Sequence, residues 1–162
     1  MNNVSAAIAQ HVLDVHTGGN WTEVDLAHTL ADVTLAEAGT RTPASPNTIA
    51  ALVRHLTYWN RVLARRAHGQ ATTIDSANGF AAGPPLYTEA DWQELLADLQ
   101  ASGRELAAAI AAVPEAQLPA TILPGYSSTY QNLQGAVEHL HYHLGQLVIL
   151  KNLVRTRPDI AA

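Results

Sequence analysis

Apolar side chains recur at helical spacing in four long stretches of this chain, separated by segments rich in glycine, proline and small polar residues. Residues 3–17 place Val4, Ile8, Val12 and Val15 on one face, and Gly18-Gly19 ends the stripe. Thr22, with Asp25 three positions on, predicts a capping box ahead of a short helix through about residue 35. The stretch AGTRTPASP, residues 38–46, is a loop. Ser45 followed by Pro46 predicts a helix start, an N-cap with proline at the first helical position. The second long helix then runs from 46 to 67 or 68, with Gly69 as its C-terminal cap.

Residues 70–87 show no periodicity and exceed most helix connections, which predicts either a crossover or a functional lid. Thr88 with Asp91 starts a third long helix that continues to about 112 and stops before Pro114. Residues 113–128, with Pro119, Pro124 and Gly125, form a second irregular link. The fourth helix covers about 129–154 and ends among Lys151, Arg155 and Arg157, the charge expected at a helix C-terminus. No sequence repeat and no strand longer than a few residues is visible. The pattern predicts an all-α fold, a four-helix bundle with a crossover connection, as a single domain over residues 1–162.

Composition narrows the function. The 162 residues are 48% hydrophobic and 14% charged, enough for a packed core. The net charge is −5 and the nine Lys and Arg are scattered, so no basic stripe for nucleic acid exists. There is no cysteine, which excludes disulfides, thiolate metal sites and a cysteine nucleophile. The opening MNNVSAAIAQHVLD lacks the basic-then-apolar order of a signal peptide, and no run approaches the ~18 apolar residues of a membrane span. A soluble, cytoplasmic protein is the expectation.

Chemistry concentrates in VEHLHYHLGQL, residues 137–147, which holds three of the eight histidines. His139 and His143 are four apart, one turn above each other on the same face, and can converge on one point. His141 lies about 200° around the helix from each and cannot join them. A stable metal site needs a third ligand from another helix. His55 offers one, because it sits in the second helix's stripe of Ile49, Leu52, Leu56, Trp59 and Leu63. Three imidazoles would leave coordination positions open, the pattern of a catalytic centre. An HxxxH pair alone is a weak signal. His11 also lies on an apolar stripe and is read as a core or surface residue, while His16, His28 and His68 are read as solvated.

Ser45-Pro46-Asn47-Thr48-Ile49 leading into Leu52-Val53-Arg54-His55-Leu56, and later His139-Leu140-His141-Tyr142-His143-Leu144-Gly145-Gln146-Leu147, resemble the DinB/YfiT-like superfamily of metalloenzymes. The resemblance covers nearly the whole chain in element order, and Tyr142-His143-Leu144-Gly145-Gln146 is its most specific part. In that family a histidine on the second helix and an HxxxHxGQ segment on the fourth bind a divalent metal within a four-helix bundle. The resemblance therefore implies His55, His139 and His143 as ligands of a divalent ion such as zinc, nickel or iron.

Leu140 follows His139, so the general-base glutamate of an HExxH protease is missing. Deaminase signatures need cysteine ligands and fail too. An open three-histidine site leaves activation of water for hydrolysis, or of a thiolate as nucleophile. The resemblance implies the second, a thiol S-transferase or isomerase using a small-molecule thiol such as bacillithiol, mycothiol or glutathione. The competing expectation is a non-catalytic, metal-stabilised, stress-associated bundle. Candidate pocket residues are Trp59, Arg54, Trp92 and the 70–87 loop, each of which also has a plain packing, solvated or connecting role. Glu138 and Gln146 are candidate partners for the ligand imidazoles, Glu138 the weaker, and Tyr142 is read as packing. Ala- and Leu-rich helix faces suggest a homodimer.

Overall fold

The computed structural model describes residues 3–156. Its elements are α1 (Val4–Thr17), α2 (Leu26–Leu30), α3 (Leu35–Gly39), α4 (Ile49–Ala67), α5 (Glu89–Ala111), a short 3₁₀ turn (Glu115–Gln117) and α6 (Thr129–Arg155). Only two isolated bridges, Thr42 with Ser45 and Thr121 with Ser128, interrupt the all-helical pattern among the described residues. No helix there is long and apolar enough to cross a membrane.

Local capping sets most of the helix ends. Asn3 Oδ1 accepts from Ala6 N to start α1, and Gly18, at φ 105°, ends it in a conformation that only glycine adopts freely. Thr88 with Asp91 forms the expected capping box at α5, and Ser128 with Gln131 forms another at α6. Two expected starts differ. The helix placed at Pro46 begins at Ile49 instead, with Thr48 Oγ1 accepting from Ala51 N. Ser45 does accept from a backbone amide, but from Asn47, which makes a turn ahead of the helix. The helix thus begins with its first core residue, since Ile49 is buried.

The expected helix through residue 35 is two helices. Asp25 caps α2 directly by accepting from His28 N, so the Thr22–Asp25 box does not form. The break follows because Thr34 and Glu37 build their own capping box at α3. At the other end of the chain, Lys151 and Arg155 of α6 bind Asp32, and Arg155 also binds Glu37, tying α6 to α3 and to the turn that joins the two short helices. Arg157 lies outside the described residues.

Helices α5 and α6 each pack against both α1 and α4, and buried side chains from all four form one continuous core. Val12, Leu52, Leu56, Leu99, Leu106, Ile110, Leu140 and Leu147 are among its fully enclosed members. Each such aliphatic side chain contributes about 1.5–3 kcal/mol relative to exposure. Trp92, expected at a pocket mouth, is instead wholly buried, and its Nε1 donates to the Val33 carbonyl at 2.7 Å. An indole can enter the core when its single N–H finds an acceptor.

His16 is not solvated but enclosed, with 1% of its surface exposed. It sits beside Asn60 of α4, whose Nδ2 is 3.4 Å from His16 Nε2 and donates to Ser102 Oγ of α5 at 3.0 Å. Gly103 makes the burial possible, because a Cβ there would lie 2.5 Å from His16 Nε2. Burial pushes the imidazole pKa down to about 4, with the Gln100 side chain as acceptor raising it and the charge of Arg104 lowering it further. Above pH 6.5 the ring is neutral in folded and unfolded chains alike. As pH falls from 6.5 towards 4, the unfolded chain takes up a proton that the folded protein refuses, so stability falls. His16 is expected to remove about 3 kcal/mol across that window. Urea unfolding at pH 7 and pH 4.5 checks this: wild type should lose more stability than His16→Gln between the two.

Candidate metal centre

The stripe that buries Ile49, Leu52, Val53 and Leu56 carries His55 into the seam between α4 and α6. On α6, Leu140, Leu144 and Leu147 bury the same side of the helix and bring His139 and His143 to that seam. The three rings meet there, with centroids 4.6–5.0 Å apart. One ring nitrogen from each lies within 4.8 Å of the other two, and the Nε2 atoms of His55 and His139 are 3.0 Å apart. His55 and His143 are buried; His139 is partly open.

Hydrogen bonding aims the lone pairs inwards. His55 Nδ1 is 2.6 Å from the backbone carbonyl of Asn78, and His143 Nδ1 is 2.7 Å from Gln146 Oε1. Both oxygens can only accept, so both Nδ1 atoms carry the proton and both Nε2 atoms are left bare. Desolvation lowers the pKa of all three histidines. At His139 it falls to about 3, since His143 and His55 add like-charge repulsion to burial. At neutral pH the cluster is three uncharged imidazoles, the form that ligates metal.

The 70–87 segment connects α4 to α5 and closes over this cluster. The ring of Phe80, the chain's one phenylalanine, stacks on His55 at 4.1 Å and 10°. Asn78, at φ 51°, turns its carbonyl onto His55 while its Oδ1 accepts from Trp59 Nε1 at 3.0 Å. Gly79, at φ 79°, follows because any Cβ there would collide with the Tyr58 ring at 2.6 Å. Arg54, beside His55 but facing the loop, donates to the carbonyls of Ala82 and Pro84. Its role is to clamp the connection down.

Other expected positions divide clearly. Gln146 partners His143, whereas Glu138 is exposed and joins nothing in the cluster. Tyr142 is 63% exposed, packing edge-on against His143 rather than filling the core. His141 stays out of the cluster and meets His11 instead, Nε2 to Nε2 at 3.3 Å. His28 and His68 are exposed, as expected. A groove of about 240 Å³ runs along the α4–α6 seam and ends at His139, with Trp59 on its α4 wall. A second hollow of about 470 Å³ lies between α4, α5 and residues 82–86, but none of the three histidines lines it.

Asn78 and Phe80 were missed by sequence reasoning. The Asn78-Gly79 dipeptide is a strong turn signal, and it marks the place where the loop's backbone turns onto His55.

The sequence pattern of the DinB superfamily matches residues 20–147. The chain belongs to the DinB superfamily. The matched span contains α2 to most of α6, and so all three converging histidines. Comparison with curated proteins and with solved structures gives no match. The superfamily's helical architecture agrees with the all-α fold found here, and a metal ion is compatible with the histidine cluster.

Arg54→Ala removes two hydrogen bonds to loop carbonyls, each worth about 1.5–3 kcal/mol because the donor is charged. Amide hydrogen exchange across residues 80–86 is expected to accelerate at least tenfold in this variant, with α6 unchanged. Unaltered exchange in the loop would show that it is held by other contacts.

Proposed function

We propose that this DinB-superfamily chain is a metal-dependent enzyme, in which His55, His139 and His143 hold one divalent ion and a small-molecule thiol is the cosubstrate. The observation that carries the reading is the donor set: three neutral imidazoles, two of them with Nδ1 engaged so that Nε2 faces the shared centre. Two nitrogens bound to one zinc-sized ion at tetrahedral angles would be about 3.3 Å apart, close to the 3.0 Å between His55 and His139 Nε2. Without an ion, burying three polar rings against each other is unfavourable, at about 1–3 kcal/mol for each nitrogen left unpaired. Imidazole ligands suit zinc, nickel or iron.

A bound divalent ion would supply Lewis acidity, lowering the pKa of a thiol brought against it. The chain's residues do the rest. Gln146 and the Asn78 carbonyl hold two rings in one tautomer, and Phe80 shields His55 from water. His139 opens to the groove through which substrate would arrive. The chain has no cysteine, so a nucleophilic sulfur would come from a cosubstrate. No carboxylate joins the cluster among the described residues, which supports thiol transfer over hydrolysis assisted by a general base. With an epoxide as acceptor, the thiol sulfur bonds to a ring carbon and the C–O bond breaks with its electron pair onto oxygen. The thiol's proton ends on that oxygen, so no oxidant or reductant is needed.

Thiol consumption tests the reading. Protein purified without an affinity tag and supplied with zinc or nickel is expected to consume bacillithiol, mycothiol or glutathione with an epoxide or alkyl halide. A chelator or the His139→Ala change should lower the rate at least a hundredfold. No chelator-sensitive turnover across the panel would favour the non-catalytic, metal-stabilised bundle.

A further inference from the structure

Away from the three-histidine centre, His11 of α1 and His141 of α6 bring a second pair of imidazoles together across two helices. Their Nε2 atoms are 3.3 Å apart, with ring centroids at 5.4 Å and planes at 64°. Val12 and Val15 on α1, with Val137, Leu140 and Leu144 on α6, are buried around them, so the packing of the core sets the meeting point. His141 lies about 200° around α6 from His139 and His143, which turns it towards α1 while they meet α4. The two histidine groups share a helix but no ligand.

As bare rings the pair is only half satisfied. One Nε2–H can donate to the other Nε2, at a separation long for such a bond. Among the described residues no protein group bonds either Nδ1, and both rings are partly exposed, so neither tautomer is fixed. Both Nε2 atoms can then be bare together, each Nδ1–H facing water. Their separation matches two nitrogens on one tetrahedral zinc-sized ion, about 3.3 Å. Glu138 stands three positions before His141 on the same side of α6, and a helical side chain leans back over the turn before it. The Glu138 carboxylate is exposed and makes no hydrogen bond or ion pair among the described residues, so turning it towards the rings breaks no contact. Glu-x-x-His is a spacing at which bundle helices present a carboxylate and an imidazole to one ion.

We propose that His11, His141 and Glu138 form a second divalent-cation site, which takes zinc or a similar ion and staples α1 to α6. Two imidazoles and one carboxylate select a zinc-like ion over magnesium or calcium, which prefer all-oxygen shells. Glu138 must be drawn in from solvent and the site opens to water, so it holds its ion more weakly than the three-histidine centre and empties on desalting. The family pattern begins at residue 20, so His11 lies outside it and the staple is a property of this chain. The site uses none of His55, His139 and His143, and it stands whether or not they hold an ion.

The experiment titrates tag-free protein with zinc while following the imidazole ring signals of His11 and His141, each identified by its loss in His11→Gln or His141→Gln. Both rings are expected to shift together with one shared affinity, and a tenfold excess of magnesium should leave that affinity unchanged. Either glutamine variant should weaken this binding at least tenfold, and Glu138→Gln at least threefold. His28→Gln, which removes the ring paired with Asp25 at 2.7 Å, should not alter it. Amide exchange across α1 should slow at least threefold when zinc is added to wild type, and not in His11→Gln. The shared shift should persist in folded His55→Ala protein, so the three-histidine centre can fail while this site stands. Ring signals of wild type that zinc leaves unmoved, displacement by magnesium, a zinc affinity at the remaining ring that survives His11→Gln or His141→Gln, or no loss in Glu138→Gln would overturn the assignment. The wild-type titration decides even if a variant does not fold.

Discussion

Three uncharged imidazoles from two helices share one small volume, and the rest of the site is arranged to make that tolerable. Polar rings crowded together in a partly dry seam repel protons, as the depressed pKa of His139 shows. They also need somewhere for their other nitrogens to bond. Gln146, one turn along α6, satisfies His143, while the backbone of Asn78 satisfies His55. An ion at the centre would answer the remaining lone pairs together, which is why the cluster and a metal fit each other.

The long connection between α4 and α5 follows from the same constraint. A plain crossover could take many paths, but this one is fastened by Arg54, Tyr58 and Trp59, three side chains within two turns of the helix that bears His55. Phe80 then covers His55, leaving His139 as the ring nearest the open groove. The asymmetry gives the centre a closed side and an accessible side.

Much of this was legible in the sequence wherever the cause was local. The spacing of His139 and His143, the Thr88–Asp91 box and the end of α6 depend on residues within one or two helical turns, and they lie where their neighbours imply. His55 was legible because it replaces an apolar residue within a regular stripe. The misplaced features depend on distant partners. His16 is buried because Gly103 on another helix leaves room for it, and Trp92 is buried because the Val33 carbonyl is there to receive its N–H. The α4 start moved from Pro46 to Ile49 because Ser45 bound the Asn47 amide in a turn and Thr48 supplied the cap. Phe80 and Asn78 lie in a segment without periodicity, where no pattern says which side chain turns inwards.

Metal content per chain tests the central claim most directly. Element analysis of tag-free protein, wild type beside His55→Ala, His139→Ala and His143→Ala, requires no knowledge of the substrate. The expected result is close to one divalent ion per wild-type chain and less than about a tenth of that in each folded variant, since two imidazoles hold an ion far more weakly than three. A full complement of metal retained by folded His139→Ala protein would contradict the shared centre on which every other part of the site has been built.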